Sequence, residues 1–448
     1  MSGSHRHLTS GDRLRMTMIP PSPFSAQVNV DVRIAWQGTI GGGDSRVVFE
    51  LHAGGAATGT LLRTQVYPSG LAAGSLVQFR IPGTALLGHD KLTVTARSDD
   101  GTILEVIPIE VLDLETPSTN RLDGAFVGFY HWSETEGRLW NAELKTFEEP
   151  DWRELVRAQK ELDMNIIVLQ ESFRNEEYVS RHKIPEQGYR GRAYYPSRLF
   201  PGRMEIRTAD PIEAVLAEAD ELGMSVFVPV GMYAWFDFTP GSLQWHKDVA
   251  DELWERYGHH RSFYGWYVSE EVHGHLGDKE ADKENLLAFF EEFSSHCRQL
   301  SPEKPVMLAP NCHWIRGESE RYRFLLRNLD IICPFGFHRM PAWDQSGEEA
   351  ADMLQALCSE AGAHLWLDLE AFLFTPDMAL SPRPLEQIVT DFRRFPHFEK
   401  VVCYQFPGIF NAPWASKKPG GPDTVRLFKE YRQYMREIEG RHSLPAHS

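Results

Sequence analysis

From about residue 124 to residue 440 the sequence alternates, eight times over, between a short continuous apolar run and a longer amphipathic segment. A strand reads as continuously apolar when both of its faces are buried, as in a parallel sheet covered by helices. The runs are 125–130, 165–170, 225–230, 263–268, 305–309, 329–333, 364–369 and 401–405. The helical segments between and after them are 152–162, 211–222, and stretches near 246–257, 280–299, 318–327, 348–361, 384–394 and 422–438. Asp151 and Asp210 stand where N-caps are expected, and Pro211 takes a first helical position. Eight strand–helix pairs in succession predict a (β/α)8 TIM barrel over 124–440. No Gly-rich phosphate fingerprint follows the first run, which argues against a dinucleotide-binding sheet.

Residues 23–114 have a different period. Runs such as Gln27-Val28-Asn29-Val30-Asp31-Val32 and Lys91-Leu92-Thr93-Val94-Thr95-Ala96 alternate polar with apolar, as half-buried strands do. Glycine-rich turns at 41–43 and 54–55 and the Asp99-Asp100-Gly101 turn separate them. This pattern predicts an antiparallel β-sandwich of immunoglobulin-like type, an accessory domain without clustered catalytic side chains. Residues 1–22 read as a disordered lead, 115–123 as a linker and 441–448 as a tail.

Charge and cysteine usage narrow the partners. The 46 basic residues stand against 63 acidic ones, a net charge of −17, which disfavours nucleic acid and anionic membrane surfaces. No apolar run approaches the ~20 residues of a membrane span. The five cysteines all lie beyond residue 296, in no C-x-x-C pair, so neither a disulfide framework nor a zinc ribbon is expected. The amino-terminal stretch lacks the apolar core of a secretory signal. The expected compartment is the cytoplasm, or the exterior if a leader has been removed.

In a barrel of this kind chemistry sits at the carboxyl ends of the strands. There the sequence places carboxylates, amides and aromatic rings in turn. In the seventh run Leu365, Leu367 and Leu369 share one parity, and His364, Trp366, Asp368 and Glu370 the other. The leucines should face the helices, so Asp368 and Glu370 should face the barrel mouth. After the fourth run the same reasoning groups Tyr267, Ser269 and Glu271, with Glu270 opposed to them. Two carboxylates on different strands of one mouth are the equipment of glycosidic cleavage, one donating a proton and one remaining ionised.

The remaining strand ends suit a sugar. Tyr130, Trp132, Tyr233, Trp235, Trp314, Trp343 and Trp414 supply flat faces for sugar C–H groups. His131, Gln170, Asn311, His313, His338 and Gln405 supply partners for hydroxyls. With 12 Trp in the chain some must be core, and Trp266 and Trp366, inside strands, are assigned there. A His273-Gly274-His275 pair invites a metal, but only His131 follows the first strand, where barrel metallohydrolases usually carry such a pair. No metal or cofactor is assigned. His259-His260 reads as an exposed loop feature.

Residues 124–132, 165–171, the Phe263-Tyr264-Gly265-Trp266-Tyr267-Val268-Ser269-Glu270-Glu271 segment and Trp366-Leu367-Asp368-Leu369-Glu370-Ala371-Phe372 resemble a bacterial barrel family, domain of unknown function 4434. The resemblance runs over about 121–438. It implies a glycoside-hydrolase-like barrel related to retaining (β/α)8 glycosidases. In those enzymes the acid/base Glu ends strand four and the nucleophile ends strand seven, which carries over to Glu271 and Glu370. The related enzymes commonly have Asn before the acid/base, where this chain has Glu270. Glu270 and Asp368 therefore stand as alternates. The expectation is a glycoside hydrolase acting on an oligo- or polysaccharide. The alternatives are a non-catalytic carbohydrate-binding barrel and a metal-dependent barrel hydrolase.

Overall fold

The computed structural model describes residues 14–36, 46–55, 59–67, 77–98, 101–131, 134–175, 191–200, 202–231 and 237–442. The chain divides into two compact units, Met1–Thr119 with Ser295–Pro305, and Asn120–Ser294 with Val306–Ser448.

The second unit is built on a closed barrel of eight strands. These are β1 (Gly124–Val127), β2 (Ile166–Leu169), β3 (Ser225–Val230), β4 (Phe263–Val268), β5 (Val306–Leu308), β6 (Ile331–Ile332), β7 (His364–Glu370) and β8 (Lys400–Tyr404). Each pairs in parallel with the next, and β8 closes on β1 through Val402–Gly124 and Cys403–Ala125. A helix follows each strand: α1 (Glu149–Glu161), α2 (Pro211–Leu222), α3 (Pro240–Tyr257), α4 (Glu280–Leu300), α5 (Ser319–Asn328), α6 (Gly347–Ala361), α7 (Leu385–Arg394) and α8 (Pro422–His442). Every residue of β2, β4 and β7 is buried, the physical reason for their unbroken apolar runs. Trp266 packs outward on Trp254 of α3, with ring centroids 6.1 Å apart. Trp366, of the inward parity of β7, meets Phe227 of β3 at 5.6 Å.

Several boundaries differ from expectation: α3 begins earlier, at Pro240, β6 is reduced to Ile331–Ile332, and β1 and α1 differ for identifiable reasons. β1 stops at Val127, short of 130, because the Phe129 and Tyr130 N–H groups donate to Glu171 Oε1 (2.8 and 2.9 Å) and so leave the ladder. A Cβ on Gly128 would lie 2.9 Å from Gln170 Oε1, so a larger residue there would require the Gln170 side chain to shift. Asp210 caps α2 as expected, accepting from the Glu213 N–H at 3.1 Å. Asp151 does not cap α1; Pro150 sits in the first turn and the helix starts earlier. The Asp151 carboxylate instead reaches back to the Glu148 N–H at 2.7 Å.

The first unit is β-rich. A three-stranded sheet has the order Leu14–Ile19, Val30–Trp36, Val77–Ile81. A five-stranded sheet has the order Phe24–Ser25, Ile103–Leu112, Lys91–Ser98, Val47–Ala53, Thr60–Tyr67. Val32, Ile34 and Phe79 of the first share one core with Phe49, Leu51 and Val94 of the second. Part of the expected disordered lead is thus ordered. Leu14–Ile19 pairs with Val30–Trp36 and buries Leu14, Met18 and Ile19, a six-residue pattern too short to stand out beside the polar lead. The pairing is not antiparallel throughout either, since Phe24 and Ser25 run parallel to Val111 and Leu112.

The five cysteines are free and buried. Among the described residues no helix is long and apolar enough to cross a membrane.

Candidate active site

The strand alternation of β7 carries Asp368 and Glu370 to the inside of the barrel at its carboxyl end. β4 ends at Val268, and the chain beyond it delivers Ser269 and Glu271 to the same place. Together they border a cavity of about 260 Å³. Tyr267, Gln170, Ala309, Phe335 and Tyr404 supply further walls. Glu136 and Trp140 come from a short helix after β1, and Phe372 and Phe374 from a hairpin after β7. Gln170 Nε2 donates to the Tyr404 hydroxyl at 2.9 Å. Trp140 is fixed by its indole N–H, which donates to Met378 O at 2.9 Å.

Glu370 is held by the segment after β6. Gly336 adopts φ 95°, and the turn Phe337–Arg339 then brings two side chains onto the carboxylate. Arg339 Nε donates to Oε1 at 2.7 Å, and His338 Nδ1 lies 3.0 Å from Oε2. Burial opposes ionisation of Glu370, but His338 and Arg339 overcome it and hold the carboxyl below its ordinary value. Among the described residues Glu271 has no such direct clamp. Burial pushes its carboxyl up to about 7; Arg339 counters this, while Glu136 and Glu370 add to it. Asp368 is pushed well above its ordinary value by burial and by the charge of Glu370. The mouth therefore favours one ionised carboxylate beside protonated neighbours.

Several anticipated residues stand elsewhere. Glu270 turns away from the cavity, toward His246 Nε2 on α3 at 3.5 Å. Tyr130 packs beneath Lys145 Nζ, 4.3 Å from the ring centre. His131 is buried one layer behind the wall, its ring 4.7 Å from that of Trp140 and its Nδ1 3.6 Å from Glu136. Asn311 Oδ1 accepts from the His313 N–H at 2.7 Å, and His313 Nε2 sits 3.3 Å from Gly336 O, so both shape loops and neither lines the cavity. Gln405 Nε2 donates to Asn141 Oδ1 at 3.2 Å within the core. Trp414 lies outside the site, its indole N–H donating to Glu161 at the last turn of α1 at 2.6 Å. That end of a barrel helix lies opposite the mouth. Trp314 stacks on Trp343 outside the cavity. Trp132, Tyr233 and Trp235 fall outside the described residues.

Arg339, Glu136, Trp140 and Phe374 were not singled out from sequence. They lie on a turn, a seven-residue helix and a hairpin, which carry no strand-end signal. His273 and His275 pack their rings against Trp314, and His275 Nε2 is 3.3 Å from Asp278. The His259-His260 pair is not simply exposed. His260 is buried between Asp220 (2.6 Å) and Glu213 (3.1 Å), and Glu213, His259 and His260 form a cluster of metal-ligating types.

The fold resembles that of a Bacteroides thetaiotaomicron protein provisionally named an alpha-L-fucosidase, at 16% identity and a TM-score of 0.51, covering 72% of this chain and 97% of that one. Weaker likenesses are to a beta-glucuronidase of Bacteroides uniformis (12% identity, TM-score 0.40, 88% of this chain, 45% of that one). Another is to a Bacteroides fragilis protein provisionally named a beta-galactosidase (10%, 0.40, 94% and 60%). This chain spans less than two thirds of each of those last two. No curated protein matches it. Residues 122–417, well over half of the sequence, match the family described as Domain of unknown function (DUF4434), and the protein belongs to that family.

Proposed function

We propose that the protein is a retaining glycoside hydrolase acting on an oligo- or polysaccharide, with Glu370 as nucleophile and Glu271 as acid/base. One observation carries the reading: a half-buried and a buried carboxylate bordering one cavity are driven toward opposite protonation states, Glu271 up to about 7 and Glu370 below its ordinary value. In the first step a Glu370 oxygen bonds to the anomeric carbon as the glycosidic C–O bond breaks, and Glu271 passes its proton to the departing oxygen. In the second step the Glu271 carboxylate takes a proton from water, whose oxygen bonds to the anomeric carbon as the ester to Glu370 breaks.

Phe335, Phe372, Phe374 and Trp140 offer apolar faces to the sugar, and Gln170, Ser269 and Tyr404 polar ones. Asp368, kept protonated beside Glu370, is suited to steady the nucleophile, and is the alternate proton donor. The N-terminal region, 23–114, serves as an immunoglobulin-like accessory sandwich joined through 115–123.

The test is a glycan panel incubated with wild type, Glu271→Gln, Glu370→Gln and Asp368→Asn, the product anomer read by proton NMR. Cleavage with retention, lost in the two Glu variants, is expected. Undiminished cleavage by either Glu variant overturns the assignment, and initial inversion overturns the nucleophile.

A further inference from the structure

Trp343 is 71% exposed, the largest exposure among the described bulky apolar side chains that stand out on the surface. An exposed indole ordinarily gains by turning onto the protein, because burying its face removes apolar area from water. Here one face is already covered. Its ring lies on that of Trp314 at 5.7 Å and 16°, a parallel stack whose outer face is left to solvent.

The stack is anchored from below. The Trp314 N–H donates to Asp344 Oδ2 at 2.7 Å, and Asp344 immediately follows Trp343, so one carboxylate ties the two tryptophan-bearing loops together. Trp314 is held at φ 59°, a left-handed conformation that a bulky residue adopts only when its surroundings impose it. The rings of His275 (5.4 Å) and His273 (6.2 Å) flank Trp314 and hold it in place. The three loops that build it follow β4, β5 and β6, and the same loops bring Glu271, Ala309 and Arg339 to the cavity.

We propose that the Trp314–Trp343 stack is an outer subsite that takes a pyranose ring of the same glycan, one or more units away from the scissile bond. A flat, pre-positioned indole face, open on its outer side, matches the C–H face of a sugar ring. The proposal rests on the hydrolase reading for the identity of the glycan, but not for the binding itself.

The experiment measures binding by calorimetry to the Glu370→Gln protein, with and without Trp343→Ala or Trp343→Phe. The probes are the di- and hexasaccharides of β-1,4-glucose, β-1,4-xylose, β-1,4-mannose and β-1,3-glucose. Wild-type background should bind at least one hexasaccharide more tightly than its disaccharide. Trp343→Ala should weaken the hexasaccharide about tenfold and erase that difference, and Trp343→Phe should restore most of it. Chain-length preference that survives Trp343→Ala overturns the subsite, as does failure of every hexasaccharide to bind. If the preference is lost as expected and wild type cleaves none of the probes, the subsite stands and only the hydrolase reading is weakened.

Discussion

The two ends of the barrel treat buried charge in opposite ways. At the amino-terminal end Lys400 and Asp123 are almost wholly buried and paired, Nζ to Oδ1 at 3.0 Å, and Asp123 Oδ2 also accepts the Val401 N–H at 2.9 Å. Asp330 accepts the Val306 N–H at 2.8 Å, and His364 meets Glu399 at 2.6 Å. Each buried carboxylate there has an opposite charge or a backbone donor. At the carboxyl end Glu136, Glu271, Asp368 and Glu370 border one cavity with, among the described residues, a single guanidinium, Arg339, already bound to Glu370. Pairing of the first kind holds strands in register. Crowding of the second kind raises carboxyl pKa values, and is retained where chemistry needs it.

The widest separation between the two ends should come from Glu370→Gln set against Asp123→Asn. Glu370→Gln should lower kcat on the order of 10⁴-fold or more while thermal unfolding moves little. Asp123→Asn leaves Lys400 buried without its carboxylate and should cost roughly 3–5 kcal/mol in denaturant unfolding, with kcat retained in the folded fraction. Burial already depresses the Lys400 pKa, which Asp123 counters, so its loss should lower that pKa further. If Glu370→Gln unfolds the barrel instead, or Asp123→Asn removes turnover without loss of stability, the division of labour between the ends is wrong.

How much of this could be read from residues alone follows the same division. Strand parity is periodic and local, so β7 yielded Asp368 and Glu370, and the parity of 267, 269 and 271 grouped three residues that the cavity brings together. The eight-fold alternation needs no tertiary knowledge either. Arg339 could not be found that way, because it reaches Glu370 through a turn set up by a left-handed Gly336. Trp414 misled for the complementary reason. It follows the eighth strand closely in sequence, but its loop ties it to Glu161, and closeness along a chain says nothing about which side of a helix a loop descends. Leu14–Ile19 was missed because an edge strand is recognised by its partner, Val30–Trp36, more than by its own six residues.

The next effect in size concerns Glu271. As the acid it must be protonated, so kcat/KM should fall as pH rises through about 7; as the nucleophile Glu370 must be ionised, so activity should fall only as pH drops below the ordinary carboxylate range. Glu271→Gln should cost about 10²–10⁴-fold, most for substrates with poor leaving groups, and should abolish the basic limb. A basic limb that survives in Glu271→Gln assigns the proton to another group of the crowded mouth, with Asp368 first in line.

The smallest effect is the most diagnostic of crowding. Arg339 acts with His338 to lower Glu370, and it also opposes the rise of Glu271 and of Asp368. Removing its charge with Arg339→Met should therefore raise the carboxyls of both Glu370 and Glu271. Both limbs of the kcat/KM profile should slide toward higher pH by about one unit, and the bell should move without narrowing. Removal of a charge at a site paired one to one would alter only its own partner. Movement of the acid limb alone would make Arg339 a private partner of Glu370, and the mouth would then resemble the paired end of the barrel. Movement of both limbs shows one charge shared among several acids, the condition under which a cavity can keep one carboxylate ionised and its neighbour protonated at the same pH.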